Sequence, residues 1–323
     1  MKIIYMGTPE FAVSALEAIV QAGHEVLAVV TQPDKPQGRS KKLVPPPVKI
    51  KAQEYGIPVY QPEKIREESM VSVLRDYEPD VMVVAAYGQL LPESILNIAP
   101  YGCINIHASL LPKYRGAAPI ERAIIDGETV TGVTTMYMEK GLDTGDMIDK
   151  VEVEITPEDT GKTLHDKLAV AGADLIIKTL DALWNKTAVR TKQNDAESCY
   201  ASMLKKDMGR LDFTQPADVL ERLVRGLIPW PCAFTTIDGK TVKLYKTEIK
   251  RIDAAYLQAI QEKAGQELTF APGEILEVTK KYFVIACGED ALLIRELQPE
   301  GKKAMDAASY LNGNKLEAGM KVG

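Results

Sequence analysis

The sequence predicts an α/β protein in two parts, a doubly wound and mostly parallel sheet followed by a small β barrel. Three observations carry this. In the first half, short β-rich runs alternate with stretches of helical periodicity, the pattern of strands joined by crossover helices. From Asn185 to about Lys205 the apolar periodicity disappears and polar residues dominate, as at an interdomain linker. Beyond it, strand-like runs prevail, with an Asp-Gly hairpin signal at Asp238 and Gly239. The expected division is therefore a first domain over residues 1–184, a linker over 185–205 and a second domain over 206–323.

The elements follow in order. "KIIYMG" reads as a strand and "TPEFAVSALEAIVQAG" as a helix, for which Thr8 can cap, Pro9 suits the first turn and Gly23 marks the end. "EVLAVVTQ", "PDVMVVAAYG", "GCINIH" and "GVTTMYM" supply further strands. Helical candidates "VKIKAQEYG", "REESMVSVLRDY", "ESILNIA" and "PIERAIIDG" lie between or after them. "DMIDKVEVEI" adds a strand, with an edge position expected. Leu164, Leu168, Ala171, Leu175 and Leu180 then recur near helical spacing, which predicts one long helix from Thr160 to Trp184. In the second part the helical pattern "PADVLERLVRGL" precedes the β runs "AFTTIDGKTVKLYKTEI" and "GEILEVTKKYFVIACGEDALLIREL".

Composition excludes several function classes. With 46% hydrophobic and 26% charged residues in 323, the chain has the make-up of an ordinary globular protein. The opening run "IIYMG" is too short for a secretory core, and no run approaches the roughly twenty apolar residues of a membrane helix, so a cytoplasmic, membrane-free protein is expected. Four scattered cysteines lack the Cys-x-x-Cys spacing of zinc sites, which agrees with a reducing compartment. His24, His107 and His165 form no H-x-x-x-H spacing, and no protein-bound metal is expected. "MGTPEFA" lacks the G-x-G-x-x-G fingerprint and no G-x-x-x-x-G-K-[ST] loop occurs, so neither NAD nor ATP is favoured. The net charge of −6 gives no reason to expect nucleic acid unless positive charge is concentrated somewhere.

Candidate chemistry begins in "GCINIH". Asn105 and His107 share one face of that strand, Ile104 and Ile106 the other. A polar pair there is either hydrogen-bonded structure or the floor of a site. In an open α/β sheet, ligands sit beyond the carboxyl ends of the strands. Two Gly- and Pro-punctuated segments leave strands at that edge, "YGQLLP" (Tyr87, Gly88, Gln89, Leu90, Leu91, Pro92) and "ASLLPKYRGAAP", which includes Ser109, Leu110, Leu111 and Pro112. Both can offer backbone groups to a flat heterocycle. Asp143 lies between Gly141 and Gly145, in what is either a surface turn or a loop that approaches a ligand. Together, an amide donor, an imidazole and a carboxylate suit acyl transfer in which the substrate's own amine is the nucleophile. Separately, Lys35, Arg39, Lys41, Lys42, Lys49 and Lys51 crowd a stretch without acidic residues, stiffened at its exit by Pro45, Pro46 and Pro47.

"GCINIHASLLPKYRGAAPI" with "GLDTGDMI" strongly resembles the folate-dependent formyltransferases; "MGTPEFA", "PDKPQGRSKKLVPPPVK", "AYGQLLP" and "WPCAFT" resemble the members that act on aminoacylated tRNA. The likeness spans nearly the whole chain. One departure is Cys232, where the family pattern leads to glycine after "WP". The resemblance implies a Rossmann-like first domain that takes 10-formyltetrahydrofolate and releases tetrahydrofolate, and a second domain of OB type that helps hold tRNA. It implies formyl transfer to the α-amine of methionyl initiator tRNA, with Asn105 and protonated His107 stabilising the oxyanion. Asp143 would support the imidazolium and relay protons. Residues 87–92 and 109–112 would line the folate pocket. Lys35, Arg39, Lys41 and Lys42 would enter the tRNA acceptor end, with Lys205 and Lys206 as further backbone contacts. A monomer is expected. Two other readings remain: a related folate enzyme, such as an amino-sugar formyltransferase or a formyltetrahydrofolate hydrolase, which need not carry the basic loop; and a catalytically silent tRNA-binding protein, which need not carry the trio.

Overall fold

The computed structural model describes residues 1–37, 42–264 and 268–323. It divides into two compact units, neither continuous in sequence. The first comprises Met1–Pro119, Val130–Ile155 and Thr163–Ser202; the second comprises Ile120–Thr129, Thr156–Lys162 and Met203–Gly323.

In chain order the first unit opens with β1 (Lys2–Gly7), α1 (Phe11–Gln21), β2 (Glu25–Val30), β3 (Lys35–Gln37), β4 (Lys42–Val44) and α2 (Pro47–Glu54). There follow β5 (Val59–Tyr60), α3 (Glu68–Asp76), β6 (Val81–Ala85), α4 (Glu93–Leu96), β7 (Cys103–His107) and β8 (Arg115–Gly116). Helix α5 (Pro119–Ile125) falls almost wholly in the second unit. The first unit resumes with β9 (Val130–Tyr137), β10 (Met147–Glu154), most of α6 (Gly161–Trp184) and β11 (Tyr200–Ala201).

Seven of these strands form one sheet in the order β10-β9-β7-β6-β1-β2-β5. From β5 to β7 it is parallel; β9 runs antiparallel to β7, and β10 antiparallel to β9, with β10 on the edge as expected. The central strands are apolar on both sides because helices cover both faces. Ile4, Met6, Val30, Met82, Val84 and Cys103 form one cluster with Met70, Val71 and Leu74 of α3 and Ile95 and Leu96 of α4. The long helix matches its expected span within a residue, with Leu164, Leu168, Leu175 and Leu180 buried.

Two local expectations are revised. Thr8 does not cap α1, which starts after Glu10; its hydroxyl instead donates to the Tyr87 carbonyl at 2.9 Å. The basic stretch is not a plain loop, since β3 and β4 pair as an antiparallel ribbon with Lys35 opposite Val44 and Gln37 opposite Lys42. The polar stretch after α6 makes pairings of its own. Thr191 bridges Met147, and β11 pairs with β8.

The second unit contains α7 (Ala217–Gly226), β12 (Ala233–Ile237), β13 (Lys240–Lys250), α8 (Ala254–Ala264), β14 (Ile275–Val278), β15 (Phe283–Ala286), β16 (Ala291–Pro299), β17 (Met305–Asp306) and α9 (Ala307–Gly313). Its antiparallel sheet runs β12-β13-β16-β15-β14, with β17 on β16. Residues 319–323 bridge its two ends: Val322 N donates to Gly273 O just before β14, and Gly323 N to Thr236 O in β12. The hairpin between β12 and β13 turns at Asp238 and Gly239, both at positive φ (50° and 70°), as that dipeptide favours. Helices α8 and α9 go beyond the sequence expectation. Ile260 of α8 is buried against Leu276, Val284 and Leu293, so a short amphipathic helix sits within what reads as a β-rich run. Cys232 adopts φ +68°, the left-handed conformation for which glycine is the ordinary residue, and its thiol donates to Pro229 O at 3.0 Å.

The pairing of β9 with β10 depends on a close approach at Gly132, opposite Glu152, where an added Cβ would lie 2.0 Å from the Val151 carbonyl oxygen and 2.6 Å from Leu110. Gly132→Ala should therefore cost about 1 to 3 kcal/mol, the usual penalty of overpacking. Chemical denaturation reads this directly, and an unchanged unfolding midpoint would contradict the register.

Candidate functional site

Strand β7 lies between β6 and β9, and both Asn105 (8% exposed) and His107 (6% exposed) are buried on it. The His107 ring is held between two acceptors. Its Nε2 lies 2.9 Å from the Tyr114 carbonyl oxygen, and its Nδ1 lies 3.7 Å from Asp143 Oδ2. A carbonyl only accepts, so Nε2 carries hydrogen. A neutral ring of that tautomer turns a bare Nδ1 towards the carboxylate, whereas an imidazolium presents N–H to both partners. At 3.7 Å the His107–Asp143 contact is an ion-pair distance rather than a hydrogen bond, and too short to admit a bridging water.

Asp143 reaches His107 from a tight loop. It sits at φ +53°, and its Oδ2 accepts from the Gly116 amide at 2.9 Å. Two residues on, Gly145 is required by close approach, since a Cβ there would fall 1.9 Å from the Tyr137 carbonyl oxygen. Asn105 makes no side-chain hydrogen bond to any described residue, which leaves its amide available to a ligand. The arrangement can therefore donate from an amide, hold or move a proton on an imidazole, and balance that proton with a half-buried carboxylate.

The segment after His107 is pinned from the sheet. His107, Thr134 and Lys150 stand in register across β7, β9 and β10. Thr134 Oγ1 donates to Ser109 O at 2.7 Å and accepts from Leu111 N at 3.1 Å; Lys150 Nζ donates to Leu111 O. Burial holds the Lys150 ammonium below its usual pKa, partly offset by the Glu197 charge. The other expected folate segment leaves the neighbouring strand β6. Tyr87 is buried, with its carbonyl taken by Thr8 and by Gln32 at 3.2 Å; burial pushes its phenol up to about 12. Thr8, Gln32 and Tyr87 follow β1, β2 and β6, and so mark the point where the strand order reverses. Gln89 is also committed, accepting from Ile65 N and donating to Pro62 O. Leu90 is exposed and Leu91 buried.

Of the expected tRNA contacts, Lys35 and Lys42 are exposed on the β3–β4 ribbon, Arg39 and Lys41 lie outside the described residues, and Lys205 and Lys206 are exposed in the second unit. Lys49 and Lys51, which the sequence grouped with them, are neutralised. Lys49 pairs with Asp34 at 2.8 Å, and Lys51 with Glu17 at 2.9 Å and Glu54 at 2.7 Å. Hydrogen bonds from Gln61 and then Lys49 hold the Asp34 carboxyl below its ordinary pKa. Sequence reasoning missed Tyr114, whose carbonyl takes His107 Nε2 within the same segment, and Thr134, Lys150, Arg115 and Gln193, whose partners lie far away in the chain. Among the described residues no cluster of three or more metal-capable side chains occurs.

A strand-borne Asn and His facing a loop carboxylate, at the carboxyl edge of a largely parallel sheet, is an arrangement suited to acyl transfer onto an amine. Residues 1–180 match the formyl transferase family model and residues 203–315 the model of the formyl transferase C-terminal domain; the chain belongs to this family. Its similar relatives include the methionyl-tRNA formyltransferases of Lachnospira eligens, 53% identical over all of both chains, and of Geobacter metallireducens, 49% identical over all of this chain and 99% of that one. The fold recurs in WlaRD, a sugar 3N-formyl transferase solved with dTDP and 5-N-formyl-THF (TM-score 0.65, 20% identity, 94% of this chain and 99% of that one). It also recurs in HypX from Aquifex aeolicus in complex with tetrahydrofolic acid (TM-score 0.63, 16% identity, 99% of this chain, 50% of that one).

If the trio works as a unit, Asn105→Ala, His107→Ala and Asp143→Ala should each lower turnover about a hundredfold or more, and their losses should not add. Circular dichroism and melting establish that each variant is folded. Near-normal turnover of folded His107→Ala would remove the imidazole from the mechanism.

Proposed function

We propose that the chain transfers the formyl group of 10-formyltetrahydrofolate to the α-amino group of methionine esterified to initiator tRNA, releasing tetrahydrofolate. The contact that carries this reading is His107 held against Asp143 beside the free amide of Asn105. The uncharged amine attacks the formyl carbon. Asn105 and protonated His107 stabilise the tetrahedral oxyanion, Asp143 balances the imidazolium, and collapse expels the folate nitrogen. The pinned segments 87–92 and 109–112 line the donor pocket, through main-chain groups at positions such as Gln89 whose side chains are already committed. No protein-bound metal takes part. The catalytic domain spans 1–184 and works as a monomer in the cytoplasm; the linker 185–205 leads to an OB-like tRNA-binding domain over 206–323. The identity of close to half or more with methionyl-tRNA formyltransferases over full length supports the tRNA substrate over an amino-sugar or hydrolytic one.

The deciding assay offers charged initiator and elongator methionyl-tRNA with 10-formyltetrahydrofolate as donor. Preferential formylation of the initiator is expected. Transfer to an amino-sugar nucleotide, or release of formate without transfer, overturns the reading.

The exposed ribbon generates a separate expectation. Joint replacement of Lys35 and Lys42 by Ala, with or without Arg39→Ala and Lys41→Ala, should raise KM for tRNA while folate binding stays unchanged. For every phosphate deprived of its cation, the slope of log affinity against log salt should fall by roughly 0.7 to 0.9. Arg39→Ala should weaken tRNA use more than Lys42→Ala, because a guanidinium can grip a phosphate bidentately. Unaltered tRNA kinetics in the quadruple variant would make the ribbon a solvated insertion.

A further inference from the structure

Gln193 lies in the polar stretch after α6, in a region whose sequence suggests only a tether, yet it is 6% exposed and all its close partners belong to the candidate site. Its Nε2 donates to two carbonyls of the carboxylate loop, Asp143 O and Gly145 O, each at 2.8 Å. Its Oε1 accepts from Arg115 Nε at 2.9 Å. A guanidinium has donors only, so the oxygen must face Arg115 and the NH₂ must face the two carbonyls; the amide has one satisfactory orientation. Arg115 in turn precedes Gly116, whose N–H binds the Asp143 carboxylate. One neutral side chain therefore ties the backbone of Asp143 to the strand that holds the carboxylate of Asp143.

We propose that Gln193 is a positioning residue for formyl transfer, holding Asp143 at the distance and angle from which its carboxylate meets His107. This rests on the reading of the trio given above. The position requires two donors and one acceptor on a neutral group of this length. Glutamate turns an acceptor towards both carbonyls, asparagine falls one methylene short, and methionine keeps the volume without the hydrogen bonds. Asp143 sits at φ +53°, a conformation that surrounding restraints help to fix, and Gln193 supplies two of those restraints.

The test uses the full chain with Gln193→Met and Gln193→Asn. The chain holds three histidines, so ring resonances of His107 are assignable against His24→Gln and His165→Gln. In the substrate-free protein, the His107 ring signals should move in both Gln193 variants while those of His24 and His165 stay in place. In formylation assays kcat should fall about tenfold or more in Gln193→Met and less in Gln193→Asn, with KM for both substrates within about threefold of the parent. If Gln193→Met does not fold, Gln193→Asn carries the test alone. Unmoved His107 signals in a folded variant overturn the proposal, whatever kcat does; so does a raised KM at unchanged kcat. Because the spectroscopic arm needs no substrate, it stands even where the parent protein fails to formylate methionyl-tRNA, and that failure bears on the proposed function alone.

Discussion

At φ +53°, Asp143 occupies a left-handed backbone region that most L residues avoid, and from there its carboxylate lies 3.7 Å from His107 Nδ1. Much of the surrounding structure follows from holding that loop. Gly145 permits the passage beside Tyr137, Gly116 N–H takes the carboxylate, and Gln193 takes the carbonyls. Strand β8, which supplies the Gly116 donor, is itself held by β11, through Arg115 N to Cys199 O and Ala117 N to Ala201 O. A two-residue strand has little stability of its own. Its position depends on chain more than eighty residues away, so the polar segment after α6 helps to hold β8 as well as connecting onward.

The antiparallel addition of β9 and β10 to an otherwise parallel sheet has a matching consequence on the other side of His107. The row His107–Thr134–Lys150 places a hydroxyl and an ammonium next to the chain that leaves β7, and these bind the carbonyls and amide of Ser109 and Leu111. A parallel sheet alone leaves such an exit loop to its own turn chemistry. Here cross-strand neighbours fix it, and so the same strand that carries the imidazole delivers a rigid segment immediately after it.

Much of this was legible in the sequence. Alternation of strand and helix patterns revealed the sheet, period-two spacing put Asn105 and His107 on one face, and the Gly-flanked Asp143 marked the loop. What stayed hidden has a common physical form. Gln193, Thr134 and Thr8 are polar residues whose partners are backbone groups distant in sequence, and a hydrogen bond to a remote carbonyl leaves no local pattern. Thr8 is instructive, because the residue type that caps helices spends its hydroxyl on Tyr87 O instead. Cys232 shows the converse: a left-handed turn, for which glycine is the ordinary residue, is kept by a cysteine whose thiol binds the turn's own Pro229 carbonyl.

The basic stretch shows why counting charges along a sequence overstates the field they produce. Between Lys35 and Lys51 the chain has no acidic residue, and six cations stand in that run. Folding brings Asp34, Glu17 and Glu54 to Lys49 and Lys51, and so removes the two cations of α2 from any role in attracting a polyanion. Lys35 and Lys42 remain exposed on a ribbon whose second strand also exposes Leu43 and Val44. A protein of net charge −6 repels a phosphate backbone at long range. Attraction must then come from a few uncompensated cations within about one Debye length of the phosphates, roughly 8 Å at physiological salt. The sorting of lysines into ion-paired and free sets, more than their number, decides where such a ligand can approach.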